Sequence, residues 1–139
     1  MELILVACFW RLDLLTVITL ATDEMGVLAV SVFPTGLDWR SYLSTVSYYG
    51  FGYSFLITPL SLLFREPVAL YRAICVFNSL LLSFTVPVSY MFMKKLAPKL
   101  DSRLICLASF VIAAYSANLM RVQMAMGETL LVLLFWLLC

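Results

Sequence analysis

Residues 74–93, ICVFNSLLLSFTVPVSYMFM, form a run of 20 residues without a charge. As an α-helix this run extends about 30 Å, which matches the hydrocarbon thickness of a bilayer. Asn78 and Pro87 lie inside it. A membrane helix tolerates them when neighbouring helices of a bundle bind the Asn side chain and the backbone groups that Pro leaves unbonded. The run therefore predicts a membrane-spanning helix, around which the other segments are arranged.

The composition of the 139 residues also indicates a membrane protein, because 64% are hydrophobic and only 12% are charged. Soluble domains carry about twice that share of charge. We expect an all-α, polytopic protein with about four membrane helices in a single membrane domain over residues 1–139. The net charge of +1 and the lack of a basic stripe argue against a nucleic-acid partner. The chain has no His, which excludes Ser-His-Asp catalysis and every metal site that needs imidazole.

Residues 3–21 predict the first membrane helix, which Arg11 and Asp13 interrupt. Residues two apart do not face each other on a helix, so the two charges are not an evident pair. Two interpretations stay open. Either the helix spans residues 3–20 with both charges facing protein or water, or it begins upstream of this chain and Arg11 lies at its outer end.

Residues 22–72 predict an extracytoplasmic loop of short juxtamembrane helices. One such helix is expected from Glu24 to Phe33, with Thr22 or Asp23 as its N-cap, and Pro34-Thr35-Gly36 is expected to end it. Residues 50–64 are apolar but number only 15, fewer than the roughly 20 needed to span. We expect them to form an interfacial or re-entrant element. Aromatic side chains in this loop suit a membrane–water interface; they are Trp39, Tyr42, Tyr48, Tyr49 and Tyr53.

The positive-inside rule places residues 94–103 in the cytoplasm, because this loop holds all three lysines and Arg103. Residues 104–120 then predict a returning helix, and residues 121–127 an outer turn. Glu128 opens a last apolar run, residues 128–139, whose 12 residues are too few to span. We therefore expect a truncated helix and a chain that is the N-terminal part of a longer protein. Counting crossings places Asp23, Glu24 and Glu128 on the outer side.

Four features follow one another along the chain: Thr22-Asp23-Glu24 after the first helix, the tract YYGFGYS at 48–54, a second helix with Asn78 that ends at Lys94-Lys95, and Glu128 opening a helix. This order resembles the first part of the GT-C-fold glycosyltransferases, such as the protein O-mannosyltransferases and the aminoarabinose transferases of lipid A. The resemblance implies a multi-pass protein of the plasma or inner membrane with an extracytoplasmic active side. It also implies transfer of a sugar from a polyprenyl-phosphate carrier to a lipid, glycan or protein acceptor.

The resemblance also implies roles for individual residues. Asp23 is the expected base, with Glu24 beside it. Substrate binding is expected from Arg72, Arg40, Tyr49, Tyr53 and Glu128, since arginines pair with phosphate and tyrosines stack on a sugar or line an isoprenoid groove. No residue is assigned to a metal, and the question of whether a divalent metal cofactor takes part stays open. This chain alone is expected to be inactive, because most of the family's membrane helices are missing.

A non-enzymatic protein is the alternative: a small polytopic membrane protein or a transporter fragment. In that case Asp23 and Glu24 only complement the dipole at a helix start, and Arg72 anchors a helix at the lipid headgroups. Transporters place ionisable residues in the middle of the membrane. Only Arg11 and Asp13 do so here.

Overall fold

The computed structural model describes residues 22–36 and 51–138. Of these residues 84% are helical and none lies in a strand, which confirms the all-α prediction. The helices of the described part are α1 (Thr22–Val32), α2 (Phe51–Leu63), α3 (Pro67–Leu96), α4 (Ser102–Ala113), α5 (Ser116–Val122) and α6 (Glu128–Leu138). The predicted helix over residues 3–21 and the candidate residues Arg40 and Tyr49 lie outside the described residues.

Helix α1 begins at Thr22 and already includes Asp23, so these two residues belong to the helix instead of preceding it as an N-cap. A 3-10 turn over Phe33–Thr35 follows directly. Gly36 then ends the element with φ of 81°, a left-handed conformation that glycine adopts without steric cost. The predicted end at Pro34-Thr35-Gly36 is therefore confirmed.

Helix α3 begins at residue 67, seven residues before the predicted span 74–93. The Glu66 carboxylate accepts hydrogen bonds from the N–H groups of Val68 and Ala69 at 3.3 and 2.9 Å. Pro67 suits the first helical position because the N–H it lacks has no partner there. Arg72 consequently lies within a helix. With 30 residues, α3 is long and apolar enough to cross a membrane.

The predicted helix 104–120 is broken, because α4 and α5 meet at an angle of 52°. Tyr115, between them, has the extended values φ −55° and ψ 132°. The Asn118 side-chain amide donates to the Ile112 carbonyl at 2.9 Å and thereby satisfies one of the acceptors that a helix end exposes. By length and composition, the described residues contain one spanning helix, or two if the bent pair counts as one. The prediction of about four membrane helices for the whole chain is therefore not confirmed; α1, α2 and α6 are shorter apolar helices.

The chain divides into two compact units, and α3 contributes to both. The first, called the Glu24 unit, comprises the described residues of 22–76 and residues 124–127. Within it α1 packs against α2. The Ser61 hydroxyl lies 2.7 Å from the carbonyl of Ser31 on α1 and 2.7 Å from that of Thr58 on its own helix, and its single proton serves one of them at a time.

The second, called the Glu128 unit, comprises residues 77–123 and the described part of α6. Its buried cluster joins Leu82 of α3 to Ala113 and Val122, with three partly buried residues packed on it: Val86, Phe110 and Leu119. Helix α5 packs against α6. The Asp101 carboxylate caps α4 by accepting from the Arg103 N–H at 3.0 Å, which closes the connection from α3.

Polar and apolar side chains are distributed unusually in the described residues. Many buried side chains are small hydroxyls: Ser31, Ser54, Ser61, Ser79, Ser83, Thr85, Ser89, Ser109 and Thr129. Large apolar side chains lie on the outside, with Phe55 80% exposed; others are Phe51, Leu63, Leu107, Val111, Met120, Leu131 and Phe135. In water-soluble proteins large apolar residues are usually inside and serine usually outside.

Candidate functional site

Glu24 is a buried carboxylate at which three segments of the Glu24 unit meet. Its side chain is 1% exposed. Oε1 accepts a hydrogen bond from the Tyr71 hydroxyl of α3 at 3.1 Å and another from the backbone N–H of Ala125 at 2.7 Å. Both donors are themselves buried. One oxygen atom of α1 therefore holds α3 and the segment 124–127.

The start of α3 explains how Tyr71 reaches this position. Glu66 and Pro67 fix the first turn, and Tyr71 follows one turn later on the buried side of the helix. Cys75 lies four residues further and is also buried, so it shares the face of Tyr71. A helix that began at residue 74, as the hydropathy of the sequence suggests, would leave Tyr71 outside any helix.

The segment 124–127 lies against the Glu24 unit at close range. A Cβ atom added to Gly127 would lie 3.0 Å from Cβ and 3.2 Å from Cγ of Tyr53. Only a residue without a side chain permits that approach without displacing its neighbours. Ala125, two residues earlier, is fully buried. The glycine therefore permits the close packing that accompanies the hydrogen bond from Ala125 to Glu24.

Burying a carboxylate is costly unless hydrogen bonds replace its hydration. Bonds to a charged acceptor contribute about 1.5–3 kcal/mol each, roughly twice the value of neutral ones. The Tyr71 hydroxyl and the Ala125 N–H, both shielded from water, also need an acceptor of their own. Glu24 and its donors consequently depend on each other.

Of the residues predicted for the site, Asp23, Glu24, Tyr53 and Arg72 belong to the Glu24 unit. Tyr53 is only 6% exposed, so its ring packs inside the unit beside Gly127. Arg72 is exposed on α3 and forms no ion pair within the described residues. Asp23 belongs to α1, and its side chain, like Arg40 and Tyr49, lies outside what is described.

Glu128 opens α6 in the Glu128 unit, as predicted. Its Oε2 lies 3.4 Å from Nε of Arg121, and the two side chains are 42% and 45% exposed. Such an exposed ion pair contributes about 0–1 kcal/mol. Glu128 therefore neutralises a neighbouring arginine at the surface of its own unit.

Sequence reasoning missed Tyr71 and Ala125. The signal for Tyr71 was present, since Glu66-Pro67 is a helix-start pattern that places Tyr71 in the second turn. Ala125 takes part through its backbone N–H, a group that every residue except proline carries. No feature of the side-chain sequence distinguishes it.

No group of three or more metal-ligating side chains occurs among residues 22–36 and 51–138. Comparisons with models of protein families, with curated proteins and with solved structures found no match to this chain.

Proposed function

We propose that the chain is part of an integral-membrane glycosyltransferase that moves a sugar from an isoprenoid-phosphate carrier to an acceptor on the outer face. The observation that carries the proposal is the hydrogen bond from Ala125 to Glu24. It joins the acidic pair to residues 121–127, the other segment expected outside. The Glu24 carboxylate, held where two outer segments meet and next to Asp23 in the sequence, suits an extracytoplasmic transferase site, and the four-part resemblance of the sequence points to the same class.

The outward-facing apolar side chains support the membrane location. Large exposed apolar surfaces mark contact with lipid or with other proteins. Helices that pack in lipid bury small and hydroxyl-bearing residues, because close approach and hydrogen bonds, rather than hydrophobic burial, hold them together. The described residues follow this pattern in both units. In the proposed topology α3 crosses from outside to inside, the connection with the lysines is cytoplasmic, and the bent pair α4–α5 returns.

In the proposed reaction, the acceptor hydroxyl attacks the anomeric carbon of the carried sugar. The new carbon–oxygen bond forms as the bond to the carrier phosphate breaks, and the proton of the hydroxyl passes to the Asp23 carboxylate. The polyprenyl phosphate leaves with the electron pair. A positioned general base of this kind contributes about 10²–10⁴-fold to the rate.

Glu24 acts in this proposal as a positioning residue. One of its oxygens is already engaged by Tyr71 and Ala125, so it fixes the start of α1 against α3 and the segment 124–127. Adjacent positions of an α-helix are about 100° apart round the axis, so positions 23 and 24 lie on different faces of α1. Arg72, exposed on α3, is assigned to the carrier phosphate.

The test is Asp23→Asn in the full-length protein to which this chain is proposed to belong, assayed in membranes for sugar transfer and for thermal stability. Asn is similar in size but cannot hold the proton, so transfer should slow by about 10²-fold or more without loss of stability. The matched control is Asp101→Asn, which makes the same change at the cap of α4 and keeps the cap. It should leave transfer unchanged.

A non-enzymatic membrane protein is the second candidate, and the burial of Glu24 favours it. The hydrogen bonds from Tyr71 and Ala125 to Glu24 and the ion pair of Glu128 mean that both glutamates stabilise the fold. If Asp23→Asn in the full-length protein transfers at the normal rate, or if membranes with the unaltered full-length protein show no transfer, the acidic pair is part of the helix architecture and this second function stands.

A further inference from the structure

An apolar groove lies in the Glu128 unit between the C-terminal half of α3 and α6. Its volume is about 410 Å³, and the residues that line it include Val88, Met91, Phe92, Lys95, Leu96 and Trp136. The rings of Phe92 and Trp136 meet edge to face at 5.7 Å. Every residue in this group except Lys95 is apolar. A volume of this size is typical of small-molecule sites.

Lys95 brings a positive charge to the groove. The neighbouring Lys94 is engaged, because its ammonium donates to the Ser102 hydroxyl at 2.8 Å and lies 3.4 Å from the Leu100 carbonyl. Lys95 is exposed and makes no ion pair within the described residues. The acid in the connection to α4, Asp101, is occupied as the cap of that helix. The charge of Lys95 is therefore available to a ligand.

We propose that this groove binds an anionic phospholipid, with the phosphate on Lys95 and the start of one acyl chain along α3 and Trp136. Val88 lies seven residues before Lys95, about 10 Å along the helix, so the apolar walls extend away from the charge as an acyl chain does. Basic residues at the end of a membrane helix attract anionic lipids. A zwitterionic lipid gains less, because its own cation opposes Lys95. The proposal goes beyond sugar transfer and requires only that the chain lies in a bilayer.

The experiment uses the fluorescence of Trp136 in the full chain, with Trp10→Phe and Trp39→Phe removing the other tryptophans. The protein is placed in phosphatidylcholine bilayers with a small fraction of lipid brominated on its chains, either phosphatidylglycerol or phosphatidylcholine. Bromine quenches indole fluorescence only at short range. We expect brominated phosphatidylglycerol to quench Trp136 at a several-fold lower mole fraction than brominated phosphatidylcholine.

Lys95→Gln should reduce this preference about fivefold, the effect of one basic residue at a lipid headgroup. The matched control is Lys99→Gln, which removes the same charge outside the groove and should keep most of the preference. Equal quenching by the two lipids would overturn the proposal. So would equal loss in the two variants, which indicates a diffuse surface attraction. Shielding of Trp136 from both lipids would also overturn it and would show that protein, such as a second copy of the chain, covers the groove.

Discussion

The two glutamates at the starts of α1 and α6 have opposite surroundings. Glu24 is 1% exposed and accepts hydrogen bonds from two neutral donors, Tyr71 and Ala125. The Glu128 side chain is 42% exposed and faces the cation Arg121 at 3.4 Å. An acid near a helix N-terminus is favourable in both cases because it complements the helix dipole. The two residues thus have the same local role but different tertiary environments.

This difference shows that the neighbours of a carboxylate, more than its charge, decide how much free energy of unfolding is lost when the carboxylate is removed. Water replaces the partner of an exposed acid when that partner is removed, so little free energy is lost. A buried acid and its donors have no such replacement. Loss of Glu24 is therefore expected to affect three segments, whereas loss of Glu128 affects one surface contact.

The largest effect is expected from Glu24→Ala, which leaves the Tyr71 hydroxyl and the Ala125 N–H buried without this acceptor. Each buried group that loses its acceptor costs about 1–3 kcal/mol, so the free energy of unfolding should fall by about 2–6 kcal/mol. Denaturant unfolding in detergent micelles measures this change. The matched variant is Glu24→Gln, whose carbonyl oxygen can accept both bonds without the charge.

Glu24→Gln should therefore cost clearly less than Glu24→Ala. Equal destabilisation by the two variants would mean that the charge of Glu24, and not its hydrogen bonds with Tyr71 and Ala125, stabilises the unit. An unfolding free energy that Glu24→Ala leaves unchanged would remove the difference between the two glutamates altogether.

A smaller effect is expected from Gly127→Ala, which introduces a Cβ atom 3.0 Å from Cβ of Tyr53. Tyr53 or the segment 124–127 must shift, and such overpacking costs about 1–3 kcal/mol. The control is Gly52→Ala, whose added Cβ meets nothing within 4 Å. Gly52 is the second residue of α2, so that change should be neutral or stabilise by less than about 1 kcal/mol. The measurement is the same unfolding titration, and a neutral Gly127→Ala would show that the segment 124–127 moves away freely.

Hydropathy and helix-end signals predicted a large part of this fold. Glu128 begins α6, Gly36 ends the first element, and the run 51–63 forms a helix too short to span, all as the sequence indicated. These features depend on local chemistry: an acid at a helix start, a glycine with positive φ, and the length of an apolar run. Local chemistry is what a single sequence records directly.

No comparable local signal in the sequence indicates the break between α4 and α5. Residues 104–120 contain neither Gly nor Pro, the residues that usually interrupt a helix. The bend is accompanied by the extended conformation of Tyr115 and by the hydrogen bond from Asn118 to Ile112. The only sign of it in the sequence is an asparagine inside an apolar run. Asparagine competes for backbone groups in this way, but it does so in some helices and not in others.

The candidate site was predictable only in part, for a related reason. Thr22-Asp23-Glu24 stands out as a polar group after an apolar run, so the acids were identified. Ala125 lies 101 residues from Glu24 and contributes a backbone group. No pattern in the sequence therefore indicated that the two residues meet. Burial then distinguished Glu24 from Glu128, and burial is set by tertiary packing.

The smallest effect is expected from Glu128→Gln, which removes the ion pair with Arg121 and leaves a polar side chain at the start of α6. The free energy of unfolding should fall by at most about 1 kcal/mol, because both groups are nearly half exposed. Part of that difference should vanish in about 1 M salt, where the screening length falls to about 3 Å. Unfolding titrations of the unaltered protein and of the variant at low and high salt give this comparison. Glu24→Gln, measured in the same way, should respond to salt less, since its site is shielded from solvent. A loss at Glu128 that exceeds 2 kcal/mol or ignores salt would place Glu128 in the same class as Glu24, and the contrast between a buried and an exposed acid would no longer describe this molecule.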